Sequence, residues 1–208
     1  MAEITLKEIK ELRNRTGVGI NHVKEALNAS NGDVDKAILY LREKGIAKAA
    51  KRAGNATNHG FIGSYIHGKT IGVMVELESE TDFASGSAKF QELAKELAMH
   101  IAAQSPIYVD RGSVPAEIIE TEKKVFAKAV EGKPEAVAAK ITEGKLNDFY
   151  AQNVLLDQVY VRDESKKIMD LMNDAVAALG EKIIIRKFVR MQLGLDPIVA
   201  SLAVVEEE

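Results

Sequence analysis

The hydrophobic period of the sequence changes from two residues to about 3.6 between residues 71 and 101, and this change limits the possible folds more than any other feature. Aliphatic side chains occupy every second position from Ile71 to Leu77, which predicts a strand with one buried face. From Phe90 to Ile101 apolar residues recur at steps of three and four, which predicts an amphipathic helix. Between them a turn is predicted from Thr81 to Ser87, and residues 80–83, Glu-Thr-Asp-Phe, lie where the strand passes into it. The aromatic ring of this segment either packs onto the protein's own core or contacts a partner.

Three short helices are predicted in the first 45 residues. Thr5 and Glu8 fit a capping box at the start of the first helix. Asp33 is a suitable N-cap for the third, and Gly45 is its predicted end. A unit this small leaves apolar surface exposed, so the stretch from Gly17 to Ile20 is either a docking face or part of the unit's own core.

The remainder of the chain alternates helices with a few strands, and the predicted fold class is α+β. Residues 46–58 are rich in Ala, Lys, Arg and Asn and are interpreted as a basic, partly helical linker with a solvated face. The segment from His59 to Leu77 is predicted to be a β-hairpin. A helix is expected from Pro134 to Gly144. The strand predicted from Ile183 to Leu193 is expected to pair with the hairpin in a small antiparallel sheet, and residues 195–208 are expected to be loose.

Residues 63–70, Gly-Ser-Tyr-Ile-His-Gly-Lys-Thr, match the pattern of a P-loop. A working P-loop opens a helix whose N-terminal amides bind phosphate. Here Lys69 and Thr70 precede a strand pattern, so the glycines are predicted to belong to a hairpin turn. A P-loop NTPase is kept as an alternative function, which nucleotide binding by this chain alone would support.

The composition gives little support to catalysis or to bulk binding of nucleic acid. The net charge is −3, there is no cysteine, and the four histidines show no ligand spacing. Asp82 has no second fixed carboxylate nearby, and no Ser/His/Asp set is visible. His100 lies on the apolar stripe of its helix, where it is either a hydrogen-bonded core residue or a partner contact. We expect no enzyme activity, cofactor, metal site, membrane span or signal peptide, and a cytoplasmic location.

Several separated motifs resemble the elongation factor Ts family. Residues 11–19, Glu-Leu-Arg-Asn-Arg-Thr-Gly-Val-Gly, are similar to the N-terminal signature of that family, and residues 80–83 contain its Thr-Asp-Phe motif. Further similar segments occur at 98–103, 155–158 and 185–190. The resemblance extends over nearly all of residues 1 to 194.

The resemblance implies an N-terminal ubiquitin-associated-like three-helix domain with its linker, residues 1–54, and an α+β core and dimerisation domain, residues 55–208. The chain resembles the short members of the family, with a single core subdomain, and a non-covalent homodimer is therefore expected. One departure follows the motif, where residues 84–87, Ala-Ser-Gly-Ser, replace the usual Val-Ala and basic residue.

The resemblance also implies a function, that of a guanine nucleotide exchange factor which binds GDP-bound elongation factor Tu and promotes GDP release. In the family the Asp and Phe of the motif press near the Mg²⁺ and phosphate region of the partner, and no covalent chemistry is involved. The partner-binding residues expected by position are Leu12, Val18, Ile20, Thr81, Asp82, Phe83 and His100. A ubiquitin-associated-like adaptor without exchange activity is the second alternative.

Overall fold

The structure is a computed structural model that describes residues 4–16 and 18–203. Within these residues the chain forms eight α-helices and six β-strands. The helices are α1 (Leu6–Thr16), α2 (Ile20–Ala29), α3 (Val34–Lys51), α4 (Asp82–Ser85), α5 (Ala88–Gln104), α6 (Ala116–Ala129), α7 (Glu135–Asn153) and α8 (Ile168–Leu179). The strands are β1 (His59–His67), β2 (Ile71–Ser79), β3 (Val159–Tyr160), β4 (Asp163–Lys167), β5 (Ile183–Gln192) and β6 (Ile198–Ser201). The predicted corner at Gly17 and the end of the predicted loose tail, 204–208, lie outside the described residues.

The first and third of the N-terminal helices begin where their predicted capping residues lie. The Thr5 amide donates to Glu8 Oε2 at 2.7 Å, and the Glu8 amide donates to Thr5 Oγ1 at 3.3 Å, which completes the capping box. Asp33 Oδ1 accepts the amides of Asp35 and Lys36, both at 3.1 Å, at the start of α3. The helices enclose a core of buried apolar side chains. These are Ile9, Leu12, Val18, Val23, Ala26, Leu27, Ala37 and Leu41.

Two glycines that were expected to end helices instead lie inside them, and both expectations were wrong. Helix α3 continues through Gly45 to Lys51. A Cβ at Gly45 would lie 3.1 Å from the Ala177 Cβ and 3.1 Å from the Asn173 carbonyl oxygen, so this glycine allows α8 to pack closely against α3. Helix α7 continues through Gly144, where an added Cβ would meet nothing within 4 Å.

The fold class is α+β, as predicted, with a small antiparallel sheet in the order β1-β2-β5-β6. Strand β5 lies beside β2, so the C-terminal strand does pair with the hairpin. The expectation that everything after residue 194 is loose was wrong, because β6 pairs antiparallel with β5 from Lys187↔Ser201 to Arg190↔Ile198. Strands β3 and β4 form a second, two-stranded sheet.

The P-loop-like segment forms a β-hairpin, as predicted. Gly68 and Lys69 adopt positive φ angles of 54° and 67° in the turn, and the chain then enters β2 and not a helix. The turn therefore lacks the helix start whose free backbone amides bind phosphate in a P-loop. Gly63 is needed for another reason, since a Cβ on it would lie 2.7 Å from the Ala94 Cβ in α5.

The chain packs as two compact units, each made of several segments. The first contains the described residues up to Phe61 together with Leu77–Leu93 and Met169–Ile184. The second contains Ile62–Glu76, Ala94–Ile168 and the described residues from Ile185 onward. The division into an N-terminal domain of residues 1–54 and a core domain of residues 55–208 stays a prediction. None of the helices in the described part of the chain is both long and apolar enough to cross a membrane.

Candidate functional site

The Thr-Asp-Phe motif forms a one-turn helix at the end of β2, with its aromatic ring in solvent. Thr81 is the N-cap of α4, and its Oγ1 accepts the Ala84 amide at 3.3 Å. The side chain of Phe83 is 86% exposed, although large apolar side chains are usually buried. The predicted turn is therefore a short helix, and its ring does not pack onto the core. We call residues 81–85 the tip.

The base of the tip is held by a carboxylate that lies 100 residues away in the sequence. Glu181 accepts the Thr81 amide at 3.0 Å and the Thr81 hydroxyl at 2.6 Å. The hydroxyl therefore donates to Glu181 while it accepts from Ala84. This pair of bonds fixes the backbone and the side chain of the N-cap together.

Glu80, the residue before the tip, accepts hydrogen bonds from three other residues. Arg52 Nη1 lies 2.7 and 2.9 Å from its two carboxylate oxygens, and Asn55 Nδ2 lies 2.8 Å from Oε2. The backbone amide of Lys182 donates to Oε1 at 2.5 Å. These donors, first the Lys182 amide and then Arg52 and Asn55, outweigh desolvation and hold the pKa of the Glu80 carboxyl below its ordinary value.

The Ala-Ser-Gly-Ser sequence that departs from the family pattern closes the tip and starts the next helix. Ser85 Oγ donates to the Asp82 carbonyl at 3.1 Å. Ser87 Oγ donates to the Ala84 carbonyl at 2.7 Å and accepts the Phe90 amide at 3.3 Å. The serines thus satisfy backbone groups that the ends of two adjoining helices would otherwise leave unpaired.

The three residues expected to form an N-terminal docking face differ in their exposure. Leu12 and Val18 are buried in the core of the helical bundle, and their contact with a partner stays a prediction. Ile20, at the start of α2, is 44% exposed and remains available for contact. The apolar pattern identified residues of the bundle that face its core, but it did not distinguish fully buried positions from partly exposed ones at the edge of the core.

His100 is a core residue, and a direct partner contact by this side chain does not fit its complete burial. Its Nδ1 accepts the Val161 amide at 3.3 Å, and its Nε2 lies 3.0 Å from Gln158 Oε1. Because Nδ1 accepts, the proton of the neutral ring is assigned to Nε2, which donates to Gln158. Burial lowers the pKa of His100 from its ordinary value of 6.5, against the opposing effect of the Gln158 bond.

The buried neutral ring of His100 predicts a loss of stability at acidic pH. The unfolded chain binds the proton near pH 6.5, before the folded chain does, so the stability from the neutral ring is complete above pH 6.5 and is lost as the pH falls through the lower folded pKa. His100→Asn retains an acceptor and cannot titrate. We expect this variant to be less stable by about 1–3 kcal/mol at neutral pH.

The measurement is urea unfolding of both proteins at a series of values from about pH 7.5 to about pH 5. The stability difference between wild type and His100→Asn should shrink as the pH falls. A difference that stays constant over this range would show that His100 does not titrate on unfolding.

The residues that hold the tip are absent from the set predicted from sequence. Arg52 was interpreted as part of a solvated basic face, whereas it is paired with Glu80. Glu181 and Lys182 lie about a hundred residues from the groups they bind, and a single sequence carries no local signal of such a pairing. Among residues 4–16 and 18–203 there is no group of three or more His, Cys, Asp or Glu side chains that could hold a metal ion.

Comparison with known proteins identifies the chain's relatives. A sequence profile of the family described as Elongation factor TS matches residues 21–195. The elongation factor Ts of Thermosipho melanesiensis is 48% identical over 194 residues, which is 92% of this chain and 99% of the relative. The elongation factors Ts of Nitratidesulfovibrio vulgaris and Oleidesulfovibrio alaskensis are 50% and 49% identical over 197 residues, which is 93% of this chain and 98% and 100% of the relatives.

These matches, together with the α+β fold, define the protein as a translation elongation factor. Within that class, the chain belongs to the elongation factor Ts family.

Proposed function

We propose that the protein is a guanine nucleotide exchange factor that binds GDP-bound elongation factor Tu and accelerates GDP release. The observation that carries this proposal is the ring of Phe83, exposed on a tip whose N-cap, Thr81, is held by Glu181 through its backbone amide and its hydroxyl. A large apolar side chain on a backbone that is already ordered suits an interface contact, because less conformational entropy is lost when the ring enters a pocket. The factor acts by binding and is not an enzyme in the chemical sense.

The energetic basis is a coupling between two binding events. If this protein weakens GDP binding to its partner by some factor, GDP weakens the binding of this protein by the same factor. Each tenfold of coupling needs about 1.4 kcal/mol of differential contact. Full burial of a Phe side chain supplies about 1.5–3 kcal/mol. Insertion of the Phe83 ring alone would therefore account for a coupling of about tenfold to a hundredfold.

The test is stopped-flow release of fluorescent GDP from elongation factor Tu, with and without this protein. We expect release to accelerate and to saturate as the concentration of this protein rises. Binding that leaves GDP release unchanged would favour the adaptor alternative. Nucleotide binding by the isolated chain that is lost in Lys69→Ala would favour the NTPase.

Asp82 is expected to act through polar contacts near the Mg²⁺ ion of the partner, since it is exposed at the start of α4 beside Phe83. Asp82→Asn should slow GDP release by roughly threefold to tenfold, because asparagine keeps an acceptor oxygen and loses only the charge that strengthens the bond. The loss should shrink when Mg²⁺ is chelated beforehand. Asp148→Asn, at an exposed position on α7, is the matched control and should leave release unchanged. An equal loss with and without Mg²⁺ would contradict this role.

We further propose that the chain forms a non-covalent homodimer through the outer face of its four-stranded sheet. Several exposed apolar side chains of the second unit alternate with buried residues along their strands, so they share this face. They are Ile62, Ile66, Met74, Met191, Leu193 and Val199.

We propose a cytoplasmic location and no direct contact with nucleic acid or membrane.

Light scattering at tens of micromolar should give about twice the 22.7 kDa mass of the chain. Met74→Lys should yield the single-chain mass, because a charge in the centre of an apolar interface is costly to bury. Val125→Lys, on the exposed surface of α6, should leave the dimer intact. A single-chain mass for the wild type would contradict the dimer.

A further inference from the structure

Three segments that are distant in sequence meet at the base of the tip and form one hydrogen-bonded network. The network joins the residues after α3, 52–55, to the base of the tip, residues 80–81, and to the residues after α8, 181–182. We call these three segments the clasp. All of them lie in the first compact unit.

The base of the tip and the segment after α8 pair in antiparallel order. Glu181 binds Thr81 through the amide and the hydroxyl, while the Lys182 amide binds Glu80. Two neighbouring residues on one segment therefore hold two neighbouring residues on the other. Such double attachment fixes the direction of the chain as it enters α4, where attachment at one point would leave it free to rotate.

The end of α3 completes the network through both charge and backbone. Arg52, the C-cap residue of α3, binds both carboxylate oxygens of Glu80, and the two side chains are only 32% and 18% exposed. The Lys182 ammonium donates to the carbonyls of Ala53 at 2.5 Å and Asn55 at 2.7 Å. An isolated exposed ion pair contributes little, but this one is partly sheltered and shares its carboxylate with two further donors.

We propose that Arg52, acting through Glu80, and Glu181, acting through Thr81, are positioning residues for nucleotide exchange. This inference rests on the proposed exchange function. Neither residue acts on the partner itself; together they hold the tip so that Phe83 reaches its binding pocket in one direction. Because Arg52 is the C-cap of α3, the clasp also ties the base of the tip to the last of the N-terminal helices.

The experiment measures GDP release from elongation factor Tu as a function of factor concentration for Arg52→Ala and Glu181→Gln. The maximal release rate should fall roughly threefold to tenfold, because a misdirected ring makes fewer of the contacts that weaken GDP binding. The half-saturating concentration should change less than about twofold, because the rest of the binding surface is retained. Arg52→Lys should restore part of the rate, since it keeps the charge but loses the fork of the guanidinium.

The matched control is Arg42→Ala, which breaks an ion pair between Arg42 on α3 and Asp170 on α8, away from the tip. If the clasp only stabilised the fold, Arg42→Ala and Arg52→Ala would lower the thermal midpoint without changing the maximal rate per folded molecule. We expect only Arg52→Ala to reduce that rate. Equal rates for the two variants would overturn the positioning role.

A double mutant separates action through the tip from any independent effect. If Arg52 acts through the Phe83 ring, Arg52→Ala should have almost no further effect on the maximal rate in a Phe83→Ala background. Additive losses would overturn the inference. Failure of the wild type to accelerate GDP release would instead reject the proposed exchange function. The wild type is therefore measured before any variant is compared with it.

Discussion

Replacement of Phe83 by alanine is expected to slow GDP release from elongation factor Tu by about tenfold or more, with little change in the stability of this protein. The ring is 86% exposed, so its removal costs few contacts within the fold. In the complex, the same ring would fill an apolar pocket, and its loss would remove about 1.5–3 kcal/mol of buried apolar contact. The effect on exchange and the effect on folding should therefore separate cleanly.

The measurement pairs the stopped-flow release rate with a thermal melt of the variant. Val125→Ala is the control, because Val125 is a 58% exposed apolar side chain on α6 with no assigned contact to the partner. It should leave both quantities unchanged. A sharp fall in the thermal midpoint of Phe83→Ala, with normal exchange per folded molecule, would make Phe83 a folding residue and would remove the observation on which the proposed function depends.

Those parts of the fold that depend on neighbouring residues were predictable from the sequence. The change of period around the motif gave β2 and α5, and the capping box gave the start of α1. The strand that follows Lys69 was enough to assign the P-loop-like segment to a hairpin. The exposed segment between β2 and α5 follows from the same pattern, because an interval with no apolar periodicity lies between two elements that need a buried face.

Features that depend on contacts between distant residues were not predictable. Nothing near Thr81 in the sequence indicates Glu181, and the basic run that contains Arg52 resembles an ordinary solvated surface. Gly45 is a case of this kind, because the close approach of α8 requires a glycine there. Gly144 is different, since an added Cβ would meet nothing within 4 Å and nothing in the structure explains the glycine. A pattern within one segment does not reveal what packs against that segment.

The tip also shows that resemblance to a family motif and the geometry of the structure give different information about a residue. The motif identified Phe83 by resemblance, whereas its exposure and its support come from the geometry of Thr81, Glu80 and their partners. Resemblance likewise included Leu12 and His100 among the contacts, and both are buried. Membership of a motif therefore does not by itself separate residues that touch a partner from residues that hold the contact surface in place.

Gly63→Ala is expected to lower the stability of the protein by about 2–3 kcal/mol, because a methyl group at this position has no space. An added Cβ would lie 2.7 Å from the Ala94 Cβ and 2.8 Å from the carbonyl carbon and oxygen of Ala94. Two of these atoms belong to the backbone of α5 and cannot rotate away, so β1 and α5 would have to separate. For a chain of this size the thermal midpoint should fall by about 5–10 °C.

Gly144→Ala is the matched control, since it makes the same chemical change in open space. Its added Cβ meets nothing within 4 Å, and replacement of glycine by alanine inside a helix should raise stability by about 0.5–1 kcal/mol. The two variants should therefore shift the midpoint in opposite directions. If Gly63 instead belonged to a phosphate-binding loop, Gly63→Ala would abolish nucleotide binding by the chain and leave the midpoint near that of the wild type. That outcome would contradict the packing role of Gly63 and revive the P-loop alternative that the hairpin geometry argues against.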